Sequence, residues 1–304
     1  MEITYVIIAH NEESTVSNAI RSVESQKGIK DYEILVVDDG STDNTAGVVK
    51  TLQKDKKSIK LLSLSSNKGR GYARQKGIDL ALGKHIAFVD SDIILPPHWA
   101  ETCLEDLKQH DIVGGIAIPD GDVSFVYKKF ELVPKKATHT TAITGSNCMA
   151  KKEVFSKLGF KNVSDGEDVD FSWRAEKLGL KLYSISTLIV AHEENKSFVQ
   201  SLEWLFQSGI GSTRLLIKFR NIRKPDIAFF IFMLSLISSI SFPIFVPLAT
   251  AYLILTSYLH LSAKFLQDKP PNFIGAVLVN TVLLLSFFMG RLIGFFKLSS
   301  YYAK

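Results

Sequence analysis

Two carboxylates one residue apart, Asp90 and Asp92, stand directly after the apolar run of residues 85–89, and Ile93-Ile94-Leu95-Pro96-Pro97 follows them. Side chains alternate along an extended segment, so Asp90 and Asp92 share a side while Ser91 points away. Paired hard oxygen donors suit Mg2+ or Mn2+ with a phosphate as the remaining partner. Beyond the C-terminal end of a buried strand in an open α/β sheet, such a pair faces the ligand crevice. Asp and Ser also favour capped turns, so this segment by itself fits a helix-entry turn equally well.

Other residues offer complementary chemistry. Asp38-Asp39 also follows an apolar run, and its oxygens can accept a base N–H or a ribose hydroxyl; with Gly40 supplying a positive φ, the same residues fit a plain turn. Asn67-Lys68-Gly69-Arg70-Gly71 and Arg74 combine flexible backbone with cations, which suits a diphosphate cradle or a solvated helix start. Glu167-Asp168 is the best general-base candidate, because an acceptor hydroxyl needs a carboxylate within hydrogen-bond reach. Asp170 lies round the same helix and points apart from Asp168, and Arg174 suits a helix-fixing role. His192 carries an imidazole able to complete a divalent site, or to do nothing specific in its loop. Neither a Gly-Lys-Ser/Thr phosphate loop nor a G-x-G-x-x-G fingerprint occurs, which disfavours the nucleotide folds that carry them.

The elements that must position these residues repeat in order. Ile3–Ala9 reads as a buried strand, then a helix carries Val16, Ile20 and Val23. Strand 32–37, a helix with Ala46, Val49 and Leu52, strand 59–64, a helix to about Leu82 and strand 85–89 follow. Four strand–turn–helix repeats predict a doubly wound, mostly parallel, Rossmann-like sheet, with the Asp/Asn-rich turns on one edge. After residues 111–118 the pattern loosens. Gly145-Ser146-Asn147 precedes a helix at 152–158; Asp165-Gly166-Glu167-Asp168 opens a helix through Trp173 that Gly179 ends. Strand 181–189 leads into the loop of His192. Residues 198–217 predict an amphipathic helix with a membrane-facing stripe of Leu202, Leu205, Phe206, Ile210, Leu215 and Leu216.

The remainder predicts an all-α membrane region. No Asp, Glu, Lys or Arg occurs from residue 227 to 261, or from 272 to 290. Pro243 and Pro247 break the first run, so two to three helices are expected, near 227–242, 244–262 and 273–296. Arg214, Lys218, Arg220, Arg223 and Lys224 lie between Glu203 and Asp226 with no acid among them, as expected of a cytoplasmic flank drawn to anionic headgroups. No aromatic-interleaved basic motif points to nucleic acid. Cys103 and Cys148 lack metal-type spacing, as in a reducing compartment, and the first residues do not read as a signal peptide. The expected protein is a multi-pass cell-membrane protein whose soluble part faces the cytoplasm.

Taken together, the ordered motifs resemble family-2 glycosyltransferases of the GT-A fold. They are Asn11-Glu12 after a strand, the turn of residues 38–43, Asn67-Lys68-Gly69 with Ala73-Arg74, the D-x-D pair, Gly145-Ser146-Asn147, and Glu167-Asp168 with Arg174 and Gly179. The match runs over residues 3–192. The resemblance implies a nucleotide-sugar donor, a Mg2+ or Mn2+ ion, and inversion at the anomeric carbon. It also implies roles: Asp39 at the base, Asp90 on the ribose side, Asp92 on the metal with Asp90 and His192, and Asp168 beside Glu167 as base. Ala9, Asn11, Glu12, Asp38, Lys68, Arg70, Arg74 and Ser91 would complete the donor site. The implied organisation is a catalytic domain at 1–196, an amphipathic, basic helix at 197–225 and a membrane region at 226–304. Gln200-Ser201-Leu202-Glu203-Trp204 is similar to the Gln-x-x-Arg-Trp motif of processive synthases, but Glu203 occupies the arginine position, so a single transfer is expected. The expected acceptor is the hydroxyl of a lipid-linked saccharide; a polyprenyl phosphate is the alternative, and a non-catalytic sugar-nucleotide-binding membrane protein is a third reading.

Overall fold

A computed structural model describes residues 1–119, 138–139, 143–161, 166–193, 197–241, 245–264 and 273–297. The described residues up to Glu193 form one compact unit, and those from Ser197 form another. In the first unit, β1 (Ile3–Ala9), β2 (Tyr32–Asp38), β3 (Ile59–Ser63) and β4 (His85–Asp90) alternate with α1 (Val16–Glu24), α2 (Thr45–Asp55) and α3 (Arg70–Leu80). Next come β5 (Ile93–Ile94), α4 (Trp99–Asp106), β6 (Ile112–Pro119), β7 (Thr138–His139), β8 (Asn147–Lys151), α5 (Lys152–Lys157), α6 (Glu167–Lys177) and β9 (Leu182–His192).

The strands form one sheet in the order β3-β2-β1-β4-β8-β6-β9-β5, with β7 beside β9. β1 pairs in parallel with β2 on one side and β4 on the other, so the winding direction reverses beside β1. That reversal opens a crevice at the C-terminal ends of β1 and β4, where ligands bind in such sheets. β8 runs antiparallel between β4 and β6. Alternation along β1 divides the core: Ile3, Tyr5 and Ile7 pack with Val16, Ile20, Val49 and Trp99 on one face. Val6 and Ile8 pack with Ala73, Ile78, Val154 and Phe171 on the other. The period-2 pattern and two helix layers thus produce the expected doubly wound sheet.

The second unit holds α7 (Phe198–Phe219), α8 (Lys224–Ser241), α9 (Phe245–Lys264) and α10 (Phe273–Phe296). α7 begins in a capping box, with Ser197 and Gln200 bonding reciprocally. Its contacts differ from the expected lipid-facing stripe. Ile210 and Leu215 are buried, and a Cβ added to Gly209 would strike the Phe287 carbonyl of α10. The pattern of apolar residues on α7 therefore reflects a helix partner that is remote in sequence. α8 and α10 are long and apolar enough to cross a membrane, with mean hydropathy 1.4 and 2.1. The expected helix start at Asp165 and the break at Pro243 lie outside the described residues.

Candidate active site

Three loops meet at the C-terminal edge of the sheet because their polar groups satisfy one another. Asn11, at φ 58°, accepts the Thr42 amide at 2.8 Å, and its own amide donates to the Ser41 hydroxyl at 2.9 Å. The Glu12 amide donates to the Thr45 hydroxyl at 2.8 Å, while the Glu12 carboxylate accepts the Thr15 hydroxyl at 2.7 Å. Asp38 accepts the Ser41 amide at 3.0 Å. The Ala9 carbonyl accepts the Asp39 amide at 2.8 Å. The Asp39 carboxylate accepts the Lys68 and Gly69 amides at 2.7 and 2.8 Å, so it holds the third loop against the first two. Gly40 permits this approach twice over: its φ is 71°, and a Cβ there would strike the Ser66 and Asn67 backbone. Asp38 and Asp39 are buried, whereas Lys68 and Arg70 are exposed.

At the end of β4 the two carboxylates take different partners. Ser91 is buried, as alternation predicts, and Asp90 accepts a hydrogen bond from the Arg74 guanidinium at 2.8 Å. Asp92 lies 2.9 Å from His192 Nε2. His192 belongs to β9, not to the loop expected after residue 189, and pairs with Ile93 in the sheet. The strand outlasts its alternating pattern because β6 pairs with it as far as His192 and β5 adds a second ladder, extended by the Glu193 amide on the Asp92 carbonyl at 2.7 Å.

Arg74 is 1% exposed and lies between Asp90 and Glu167, donating to both. Glu167 is buried at the start of α6 and also pairs with Arg70 at 3.4 Å. Gly145 sits so close to the guanidinium that a side chain there would overlap it, and the Phe160 ring lies 5.7 Å away. Burial pushes the Glu167 carboxyl up, but Arg74 and Arg70 outweigh it and hold the group below the usual range. For Asp90 burial prevails over Arg74, and the neighbouring Asp92 charge adds to the rise.

Asp168 follows in the first turn of α6, after Gly166 at φ 71°. Its carboxylate accepts the Gly145 amide at 3.4 Å. Asp170 points elsewhere and pairs with Arg174 at 2.7 Å, while Arg174 also donates to the Gly159 carbonyl at 2.9 Å. Asn147, fully buried, accepts the Gly115 amide at 2.7 Å where the β6–β9 register shifts. In sequence Gly145 and Asn147 are only motif letters, because their burial depends on distant segments: Arg74 covers Gly145, and Asn147 lies between β4 and β6.

Among the described residues no group of three or more His, Cys, Asp and Glu side chains forms a metal cage. The donors present still suit a divalent ion: the Asp92 carboxylate and the His192 imidazole converge at 2.9 Å, with Asp90 two positions before Asp92. Few protein ligands leave positions for phosphate oxygens, the usual arrangement for Mg2+.

A family model described as Glycosyl transferase family 2 matches residues 4–159. An uncharacterized glycosyltransferase of Nostoc is 36% identical over 38% of this chain and 35% of its own length. The UDP-Glc:alpha-D-GlcNAc-diphosphoundecaprenol beta-1,3-glucosyltransferase of Escherichia coli is 30% identical over 54% of this chain and 57% of its own length. The matched stretch thus spans about a third of the first curated relatives, 35% and 34% of their lengths. Among solved structures, a mannosyltransferase of Pyrobaculum calidifontis in complex with GDP-Man and Mn2+ aligns over 96% of this chain and 87% of its own, with TM-score 0.65 at 15% identity. At that identity the likeness bears on the fold alone, which is GT-A-like.

Proposed function

The chain belongs to glycosyl transferase family 2, and from that premise we propose that it transfers a sugar from a nucleotide-sugar donor to a hydroxyl of a membrane-borne, lipid-linked saccharide, with inversion. The observation that carries this reading is the joined polar edge: Asp92 with His192, Asp90 with Arg74, and Arg74 with Glu167 next to Asp168. One sheet edge thereby gathers carboxylates suited to donor binding and a base candidate. The diphosphoundecaprenol acceptor named for the Escherichia coli relative and the apolar helices here support a membrane-borne acceptor.

In this reading Asp39 and the loops it joins receive the nucleoside, with Ala9, Asn11, Glu12 and Asp38 shaping the pocket. Asp92 and His192, with Asp90, would hold Mg2+ or Mn2+. Such an ion supplies Lewis-acid stabilisation of the departing diphosphate. Lys68 and Arg70, both exposed cations, attract the same negative charge. Asp168 accepts the proton of the acceptor hydroxyl, which attacks the anomeric carbon opposite the leaving group. Arg74 and Glu167 position Asp90 and the start of α6 respectively. The basic residues 214–224 support a cytoplasmic flank.

The Asp168→Asn variant tests the base assignment. A general base contributes typically about 10²–10⁴-fold, so transfer to a hydroxyl acceptor should fall by that order while donor binding persists. Near-full transfer would favour a polyprenyl-phosphate acceptor, whose nucleophile is already ionised.

A further inference from the structure

The helical unit holds a buried polar cluster that fixes which helix ends lie together. α7 and the last part of α10 run side by side in one direction: Ser286 donates to the Leu202 carbonyl at 2.8 Å, and Thr213 to the Arg291 carbonyl at 3.0 Å. Gly209 and Gly290 give the close approach, since a Cβ on either would strike a carbonyl of the other helix. The chain then turns at Arg220, φ 54°, and α8 comes back to the same level. There Asp226, in the first turn of α8, pairs with Arg291 of α10, and both are fully buried. Ser212 of α7 accepts from Arg291 at 2.5 Å and from Arg223 at 2.6 Å, so three helices share one knot. The Arg291 guanidinium lies 5.1 Å from the Phe229 ring, which is 5.5 Å from Phe288 and 6.1 Å from Phe295.

Opposite faces of a bilayer are about 30 Å apart, and a helix needs about 20 apolar residues to cross. The start of α8 and the end of α10 touch, so they cannot lie on opposite faces. α8 and α10 have the length and hydropathy to cross, and with the start of α8 and the end of α10 on one face, α9 between them begins and ends on the other. Ile240, Ile274 and Phe296 are 83%, 76% and 78% exposed, a surface that acyl chains would cover.

From this geometry we propose that the unit crosses the bilayer twice, not three times: α8 enters and α10 returns to the same face. α9 turns within the membrane without crossing. Lys218, Arg220 and Arg223 before α8, and Lys224 at its start, then share the cytoplasmic face with Lys297 after α10, as the positive-inside bias favours. α7, beside α10, runs toward that same face. The Asp226–Arg291 pair marks the boundary, where ionisable side chains in membrane helices are tolerated only when paired.

This inference rests on the membrane reading of the helices, and site-directed labelling separates the two. Single cysteines are introduced as Lys218→Cys, Lys297→Cys or Ile274→Cys in the full chain in cell membranes, and treated with a membrane-impermeant maleimide. Native Cys103 and Cys148 give little background, being buried, with the Cys148 thiol pushed up to about 12. Two crossings predict that positions 218 and 297 label only after permeabilisation, and 274 in intact cells. Labelling of 218 and 297 from opposite sides overturns the proposal, and so does labelling of all three from one side. Release of the protein by alkaline carbonate would instead overturn the membrane reading itself.

Discussion

Arg74 shows how one side chain can organise a site without facing solvent. Its guanidinium divides between Asp90, beside the D-x-D pair, and Glu167, beside Asp168. A rigid planar fork with several donors can serve both carboxylates at once, whereas an ammonium is a compact point charge with fewer donors. Replacing Arg74 by Met leaves Glu167 buried without its main partner, and breaking a buried pair from one side costs about 3–5 kcal/mol. Chemical unfolding of Arg74→Met should register a loss of that order, with Arg74→Lys intermediate. Wild-type stability in the Met variant would show that the bridge carries no weight. Gly145 fits the same logic, since its missing side chain leaves room for the guanidinium.

At the scale of elements, the sheet is secured at the edge opposite the candidate site. Glu33, nearly fully buried, accepts the Thr4 hydroxyl at 2.6 Å, Lys60 at 2.7 Å and the Leu82 amide at 2.8 Å, tying β1, β2, β3 and the approach to β4. Burial pushes its carboxyl up, but these partners together hold it below the usual range. A depressed carboxyl contributes stability above its unfolded pKa of about 4.3 and loses it as pH falls through the folded value. Glu33→Ala should therefore cost about 1–3 kcal/mol near neutral pH, and the gap to wild type should narrow below about pH 4. An equal gap at both pH values, by urea unfolding, would rule out the charge.

The strands around β1 were legible because their own alternation and polar turns encode them. The antiparallel insertion of β8 and the end of β9 were not. His192 belongs to a strand because Pro119 of β6 and Ile93 of β5, both remote in the chain, pair with it. Asp92 and His192 were foreseen as possible partners by chemistry, yet their 2.9 Å approach depends on that pairing. Likewise, the stripe on α7 looked lipid-facing because an apolar stripe is the same pattern whether lipid or α10 covers it. Glycines at 209 and 290 were the available clue to a helix partner.

For the whole molecule, a family 2 glycosyl transferase domain is joined to an apolar helical unit in one chain. The domain brings Asp90 and Asp92 together at the switch point of the sheet, where the proposed reading puts the donor, and the apolar helices support the proposed membrane-borne acceptor. In the proposed reading, turnover of a nucleotide sugar depends on a divalent ion held at the Asp92–His192 pair. That dependence is tested most directly by release of nucleoside diphosphate from a donor panel, comparing the full-length wild type with Asp92→Ala, each with Mn2+ and with a chelator. Wild type should release it with Mn2+, and release should be lost on chelation and in Asp92→Ala under both conditions. Undiminished release by Asp92→Ala, or by wild type with the metal chelated, would contradict that reading.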